Sequence, residues 1–480
     1  TDAEMRINME KKNTWETYSS KQLKELEKIN AQYRDFLDNG KTERECIDTI
    51  VNTIEKSGYR ELESLIKEGT ALKTGDKVYS VWMNKSIAMF QIGRKPMTEG
   101  MNILGAHIDS PRLDVKQNPL YEDGGFAYLD THYYGGVKKY QWVTIPLAIH
   151  GVIVKKDGTC VEINIGENED DPVFFVSDLL IHLAQEQLEK KAAKVIEGEA
   201  LDIIVGNKPL LIDKKDKKKD EKEAGKDAVK AGVLDILKET YDIHEEDFVS
   251  AELEIVPAGK AREAGFDRSM TLAYGQDDRV CAYTSMQAML DSDVTDRTMC
   301  CILVDKEEIG SVGATGMQSH FFENAVAEVM NLTGEYSELH VRRCLAHSCM
   351  LSSDVSSAFD PTYASSFDKK NVAYLGGGMV INKFTGARGK SGSNDANAEY
   401  LAHLRHIFDK AEVNFQTAEL GKVDLGGGGT IAYILALYGM NVIDSGVAVL
   451  NMHAPWEATS KADVYETYRG YKAFVEGASL

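Results

Sequence analysis

The sequence predicts an α/β fold: a mixed central sheet flanked by helices, interrupted by a β-rich insertion. Three observations carry this. The run Met299-Cys300-Cys301-Ile302-Leu303-Val304 is apolar throughout, as in a strand buried on both faces. Short apolar runs of the same kind alternate with amphipathic stretches in the first hundred residues and again beyond 266. Between 116 and 265 the character shifts to glycines, aromatics and β-like runs.

Taken in order, residues 14–37 and 44–57 have helical periodicity and many charges, which predicts two amphipathic helices. Residues 73–92 alternate apolar and polar side chains and read as strands, and 102–106 is a short buried strand ending at His107. Within the insertion, 143–154, 160–165 and 248–256 read as strands and 176–194 as a helix. The run 213–227 is a low-complexity charged loop, with too little apolar content to order itself. A strand to Tyr274, a Gln276-Asp277-Asp278-Arg279 turn and a helix 280–290 then lead into the central strand. A helix over 319–332, strands over 339–345 and 446–451, and a closing helix over 462–476 complete the prediction. The expected domains are therefore 1–115 with 266–480, catalytic and discontinuous, and the insertion 116–265.

Composition narrows the function. The chain has 480 residues and 43% hydrophobic content, ample for a large core, and its seven scattered cysteines contain no Cys-x-x-Cys pair. That usage suits reduced thiols rather than a disulfide framework or a zinc ribbon. A formal charge of −21 argues against nucleic acid as a partner, because phosphate needs a positive footprint. No apolar run approaches the roughly 18 residues of a membrane span. Residues 1–30 are charged and lack the apolar region of a signal peptide, so the expected location is the cytoplasm.

Five acidic or histidine positions share one address, directly after a predicted strand: His107, Asp277, the pair Glu307/Glu308, Asp354 and His453. Open α/β sheets bind ligands at the carboxyl ends of their strands. If these strands share a sheet, the five converge on one rim, and their chemistry matches a two-metal hydrolytic site. Asp277 can bridge, His107 with Asp354 can serve one ion, and Glu308 with His453 the other. Glu307 is then left to carry the proton of a water. Asp109, two residues beyond His107, can orient the imidazole. The donor set admits zinc first, and also cobalt or manganese.

Together, His107-Ile108-Asp109-Ser110-Pro111, Gln276-Asp277-Asp278-Arg279, Asp305-Lys306-Glu307-Glu308-Ile309-Gly310-Ser311, Ser352-Ser353-Asp354 and Asn451-Met452-His453 resemble the aspartyl aminopeptidase family of co-catalytic zinc peptidases. The resemblance implies a zinc-peptidase-like fold, the roles just described and two divalent ions per subunit. It also implies peptide substrates losing an N-terminal Asp or Glu. The insertion would then make dimer contacts within a tetrahedral dodecamer. Asp178 to Leu183 resembles the stretch whose histidine reaches a neighbouring subunit's site, which points to His182. Val380-Ile381-Asn382-Lys383 resembles the segment whose lysine faces the substrate, which points to Lys383, with Arg388 or Lys390 beside it.

Three departures stand out, one of them the lysine-rich charge run at 213–227. Asp277 and Asp278 are adjacent, and either can bridge, although the pattern favours Asp277. Gly426 to Gly429 replaces a more varied loop and lacks a phosphate-binding pattern, so close backbone approach or turn-making accounts for it. The rival readings are a two-metal deacylase or carboxypeptidase, and a catalytically silent shell or cargo assembly.

Overall fold

The structure, a computed structural model, describes residues 13–210 and 227–479. The charged loop 213–227 lies, apart from Asp227, outside the described residues. The chain forms two compact units. The first contains the described residues up to Asp109, Ala261–Met452 and the chain from Trp456 onward; the second contains Ser110–Lys260 with His453–Pro455.

The first unit is built on a nine-stranded sheet. Strand Thr298–Val304 lies near its middle and is fully buried, as its apolar run requires. It pairs parallel with Met101–His107, which pairs parallel with Cys349–Ser353, which in turn pairs parallel with Asn441–Gly446. On the far side of Thr298–Val304, Ser86–Gln91 is antiparallel, as is Met379–Asn382 beyond Asn441–Gly446. The sheet is therefore mixed. A second sheet of five strands joins Arg262–Ala264, Met270–Ala273, Glu457–Ser460, Ala448–Leu450 and Ser356–Ser357.

Helices begin where the sequence supplies caps. Ser19 and Thr42 each accept a hydrogen bond from the third residue of their helix, and Gln22 and Glu45 reach back to complete capping boxes. The resulting helices, Ser20–Asp38 and Glu43–Glu55, bury Leu26, Ile29, Tyr33 and Ile47, Ile50, Ile54 at helical spacing against one core. The closing helix Lys461–Gly477 lies in the same core. None of the seven cysteines is disulfide-bonded, and all but Cys160 are buried.

The second unit is a six-stranded sheet in the order Cys160–Ile165, Leu147–Val154, Ala251–Pro257, Arg112–Asp123, Phe126–Tyr134, Ile203–Gly206. Every pairing in it is antiparallel. Helix Ala228–Tyr241 accompanies it.

Three local expectations fail. Residues 339–345 form not a strand but the helix Glu338–Ala346, which Ser337 caps and which buries Val341, Cys344 and Leu345 on one face. The strand leading to Asp354 is the later Cys349–Ser353. Residues 176–194 form only short turns at Ile181–Leu183, Gln185–Leu188 and Ala192–Val195. Leu179, Leu180, Ile181, Leu183 and Leu188 are all exposed there, so no buried face holds a long helix together. Finally, 446–451 is not one strand: the chain leaves the large sheet at Gly446 and enters the five-stranded sheet at Ala448.

Gly426 and Gly427 are required by close approach. A Cβ at Gly426 would lie 1.6 Å from the Leu420 carbonyl oxygen, and one at Gly427, with φ +124°, would lie 2.5 Å from Ala387. The neighbour they admit is the chain's own backbone.

Candidate metal centre

His107, Glu307/Glu308 and Asp354 leave three adjacent parallel strands at the same end, which parallel pairing dictates. Asp277 does not join that rim by way of the large sheet. It follows Met270–Ala273 of the five-stranded sheet, at the start of helix Gln276–Leu290. The single shared rim read from the sequence is therefore supplied by two sheets. The helix opens on Gly275 at φ +72°, and Asp277 and Asp278, joined by a cis peptide, have non-helical backbone angles.

The imidazole of His107, 1% exposed, is the hub. Its Nδ1 lies 3.0 Å from the Asp109 carbonyl oxygen and 3.3 Å from the Asp109 carboxylate. Both are acceptors, so Nδ1 carries a proton and Nε2 faces the site. Nε2 lies 3.2 Å from Asp277 Oδ1, and 3.7 Å from both Glu307 Oε2 and Asp354 Oδ1. Burial pulls the imidazole's pKa down, but hydrogen bonding to Asp109, Asp277 and Asp354 outweighs it and raises the pKa well above the ordinary value.

The glutamate pair sits on a tight turn. Lys306 at φ +72° and Gly310 at φ +96° bracket the single turn Glu307–Ile309. Asp109, fully buried, fixes that turn: its Oδ1 accepts from the Glu307 N–H at 3.2 Å and its Oδ2 from the Glu308 N–H at 3.1 Å. Beneath it, buried Asp305 accepts from Thr315 at 2.5 Å and pairs with Lys306 at 3.0 Å. Burial lifts Asp305 to about 6 and Glu307 to about 8, the latter against the pull of His107 and with the push of Asp354. Burial likewise raises Asp278, with Asp354 adding to it, and raises Asp354 against the pull of His107.

Two overlapping donor groups result. His107, Asp277 and Glu308 present ligand atoms within 4.8 Å of one another, as do His107, Asp278 and Asp354. One imidazole nitrogen among buried and half-buried carboxylates is an N/O donor set suited to zinc, which would displace the Nε2 proton, and divalent charge would offset the crowding of negative groups. The residues present therefore fit a metal. Asp278, left open in the sequence as an alternative to Asp277, is thus brought in as well.

The remaining candidates belong to neither donor group. His453 groups with the second unit, with φ +65° and Nδ1 2.9 Å from the Gly136 carbonyl, and neither donor group includes it. His182 is exposed in the second unit, on the turn Ile181–Leu183. Lys383 is exposed just after Met379–Asn382, a strand that runs antiparallel to Asn441–Gly446, and its carbonyl accepts from Ala396 N–H. Lys390 is engaged with Asp395 at 2.9 Å. Sequence reasoning missed Glu457, buried and accepting from the Asp277 N–H at 3.0 Å. Its position four residues after His453 was the only available signal.

Residues 36–475 match the family model described as aminopeptidase I zinc metalloprotease (M18). A probable M18 family aminopeptidase 1 of Clostridium acetobutylicum is 63% identical over 466 residues, covering 97% of this chain and 98% of its own. The crystal structure of an M18 aminopeptidase from Thermotoga maritima superimposes with a TM-score of 0.91 at 44% identity, covering 98% of this chain and 100% of the other. That of aminopeptidase I from Clostridium acetobutylicum gives 0.88 at 60% identity, covering 97% and 99%. With its family model spanning most of its length and relatives this similar end to end, the chain belongs to the M18 family of zinc metalloprotease aminopeptidases.

Proposed function

We propose that the protein removes single N-terminal residues, preferentially Asp or Glu, from peptides at a two-metal site, with Glu307 as the general base. The observation that carries this reading is the hub: one buried imidazole nitrogen facing carboxylates from three distant segments. In this reading His107, Asp277, Glu308, Asp354 and His453 would hold the ions, and Asp277 would be the ligand common to both. His453 enters on its Asn451-Met452-His453 motif, and Asp278 is the alternative to Asp277 that the second donor group supports.

When bound, two divalent ions supply charge neutralisation and polarise a water and the scissile carbonyl. The chain's own work is to place and move a proton. Glu307 Oε2, on its fixed turn, takes the water's proton and returns it to the leaving amine. Asp109 keeps the His107 proton on Nδ1, leaving Nε2 as the donor.

Preference for an acidic residue needs a local cation on a chain of charge −21. Lys383 is exposed and makes no ion pair among the described residues, which leaves its ammonium available for a substrate carboxylate. His182 completing a neighbouring subunit's site, and a dodecamer assembled from dimers through the inserted unit, belong to the same proposal. Native mass spectrometry tests the assembly.

The decisive experiment pairs a panel of aminoacyl fluorogenic substrates, free and N-blocked, with metal analysis. Wild type should hold two zinc ions per chain and favour free Asp and Glu substrates. Glu307→Gln should keep the zinc and lose roughly 10²–10⁴-fold in kcat. Cleavage of N-blocked substrates would replace the aminopeptidase reading with a deacylase one, and full activity in Glu307→Gln would remove the proton shuttle.

A further inference from the structure

Behind the Asp277 carboxylate lies a buried polar latch that joins Gln276 to a strand distant in sequence. Strands Met270–Ala273 and Glu457–Ser460 pair antiparallel, with Thr271 opposite Thr459 and Ala273 opposite Glu457. Glu457 and Thr459 are two apart, so their side chains share one face of the strand. After Gly275 the chain folds back, and the Gln276 amide reaches across both strands. Its Nε2 donates to the Thr271 carbonyl at 3.0 Å and to the Glu457 carbonyl at 2.7 Å. Its Oε1 accepts from Tyr33 at 3.1 Å and Thr459 at 2.7 Å. All four hydrogen-bonding positions of one amide are thereby used, at a residue that is 0% exposed.

The latch then acts on the next residue. Glu457, 2% exposed, accepts from the Asp277 N–H at 3.0 Å through Oε2. Gln276 fixes the strand that carries Glu457, and Glu457 fixes the peptide that carries Asp277. Asp277 Oδ1 in turn stands 3.2 Å from His107 Nε2. We infer that Glu457 is a positioning residue, which sets where the Asp277 carboxylate stands and so the affinity of the centre for its metal. What the bond to Asp277 N–H asks of it is an acceptor at the right reach.

This inference rests on the metal-centre reading, and two near-isosteric variants of the full chain separate length from charge. Glu457→Gln keeps the reach and an acceptor oxygen but removes the charge. Glu457→Asp keeps the charge and withdraws the acceptor by one methylene. The protein is stripped with a chelator, zinc affinity is measured by competition, and the visible spectrum of the cobalt-loaded protein is recorded. Glu457→Asp should bind zinc about 10–100-fold more weakly, as changes behind metal ligands do, and shift the cobalt bands. Glu457→Gln should bind and absorb like wild type.

The reverse pattern would make the charge the operative feature and overturn the inference. So would two variants that both match wild type, or that are equally impaired. Thermal unfolding of the stripped proteins identifies any variant that fails to fold, and failure of Glu457→Gln to fold would also overturn it. If wild type itself binds no zinc, the metal-centre reading falls first, so the two failures are distinguishable.

Discussion

The carboxylate of Asp109 holds the proposed proton shuttle and its neighbour, since it accepts from the backbone N–H groups of Glu307 and Glu308 and also stands beside His107 Nδ1. Only a group with acceptors on both arms can do this. Asp109→Asn turns an NH₂ against one of these donors. We expect kcat/KM to fall about 10–100-fold, read on a free aminoacyl substrate, with about 1–3 kcal/mol of stability lost in urea unfolding. Activity equal to wild type would show that the turn stands without Asp109. The spacing His107-Ile108-Asp109 made the imidazole partner legible in the sequence. The two backbone bonds span 198 and 199 residues, and no local pattern encodes contacts at that range.

Elements were readable where periodicity and caps agreed, and misread where one was followed without the other. Residues 339–345 alternate enough to suggest a strand. Ser337, however, accepts from His340 N–H at 3.1 Å, and Val341, Cys344 and Leu345 fall on one helical face. The cap was the better guide. Thr42 offers a direct test, since its hydroxyl accepts from Glu45 N–H at 3.2 Å while Glu45 returns a bond to Thr42 N–H. Thr42→Ala should cost about 1 kcal/mol of unfolding free energy with no change in denaturant slope. A loss below a few tenths would mean that the helix is held by its buried face alone.

At the scale of the whole molecule, distant segments are tied by a buried cation. Lys461, 1% exposed, pairs with Glu27 at 2.6 Å and Glu263 at 2.8 Å, joining the first long helix, a strand of the five-stranded sheet and the closing helix. Lys461→Met should cost about 2–3 kcal/mol, below the 3–5 of fully buried pairs because both glutamates keep some exposure. The hydrogen bond from Lys461 lowers Glu263 below its ordinary value of 4.5. That contribution is present above the unfolded value and is lost as pH falls through the lower folded one. The fall in Tm from neutral to acid pH should therefore be smaller in Lys461→Met, and an equal fall would deny Glu263 this role.

The sequence by itself determined the mixed α/β class, most strand and helix positions, and the short motifs that set residues side by side: His107 with Asp109, and Glu307 with Glu308. These are properties of periodicity and covalent adjacency, which a chain carries before it folds. Tertiary structure decided that Asp277 and Asp278 arrive from a second sheet, that Asp109 grips a turn in a distant segment, and that Glu457 holds Asp277 in place. Sheet order and register set those distances, and they depend on every strand finding its partner at once.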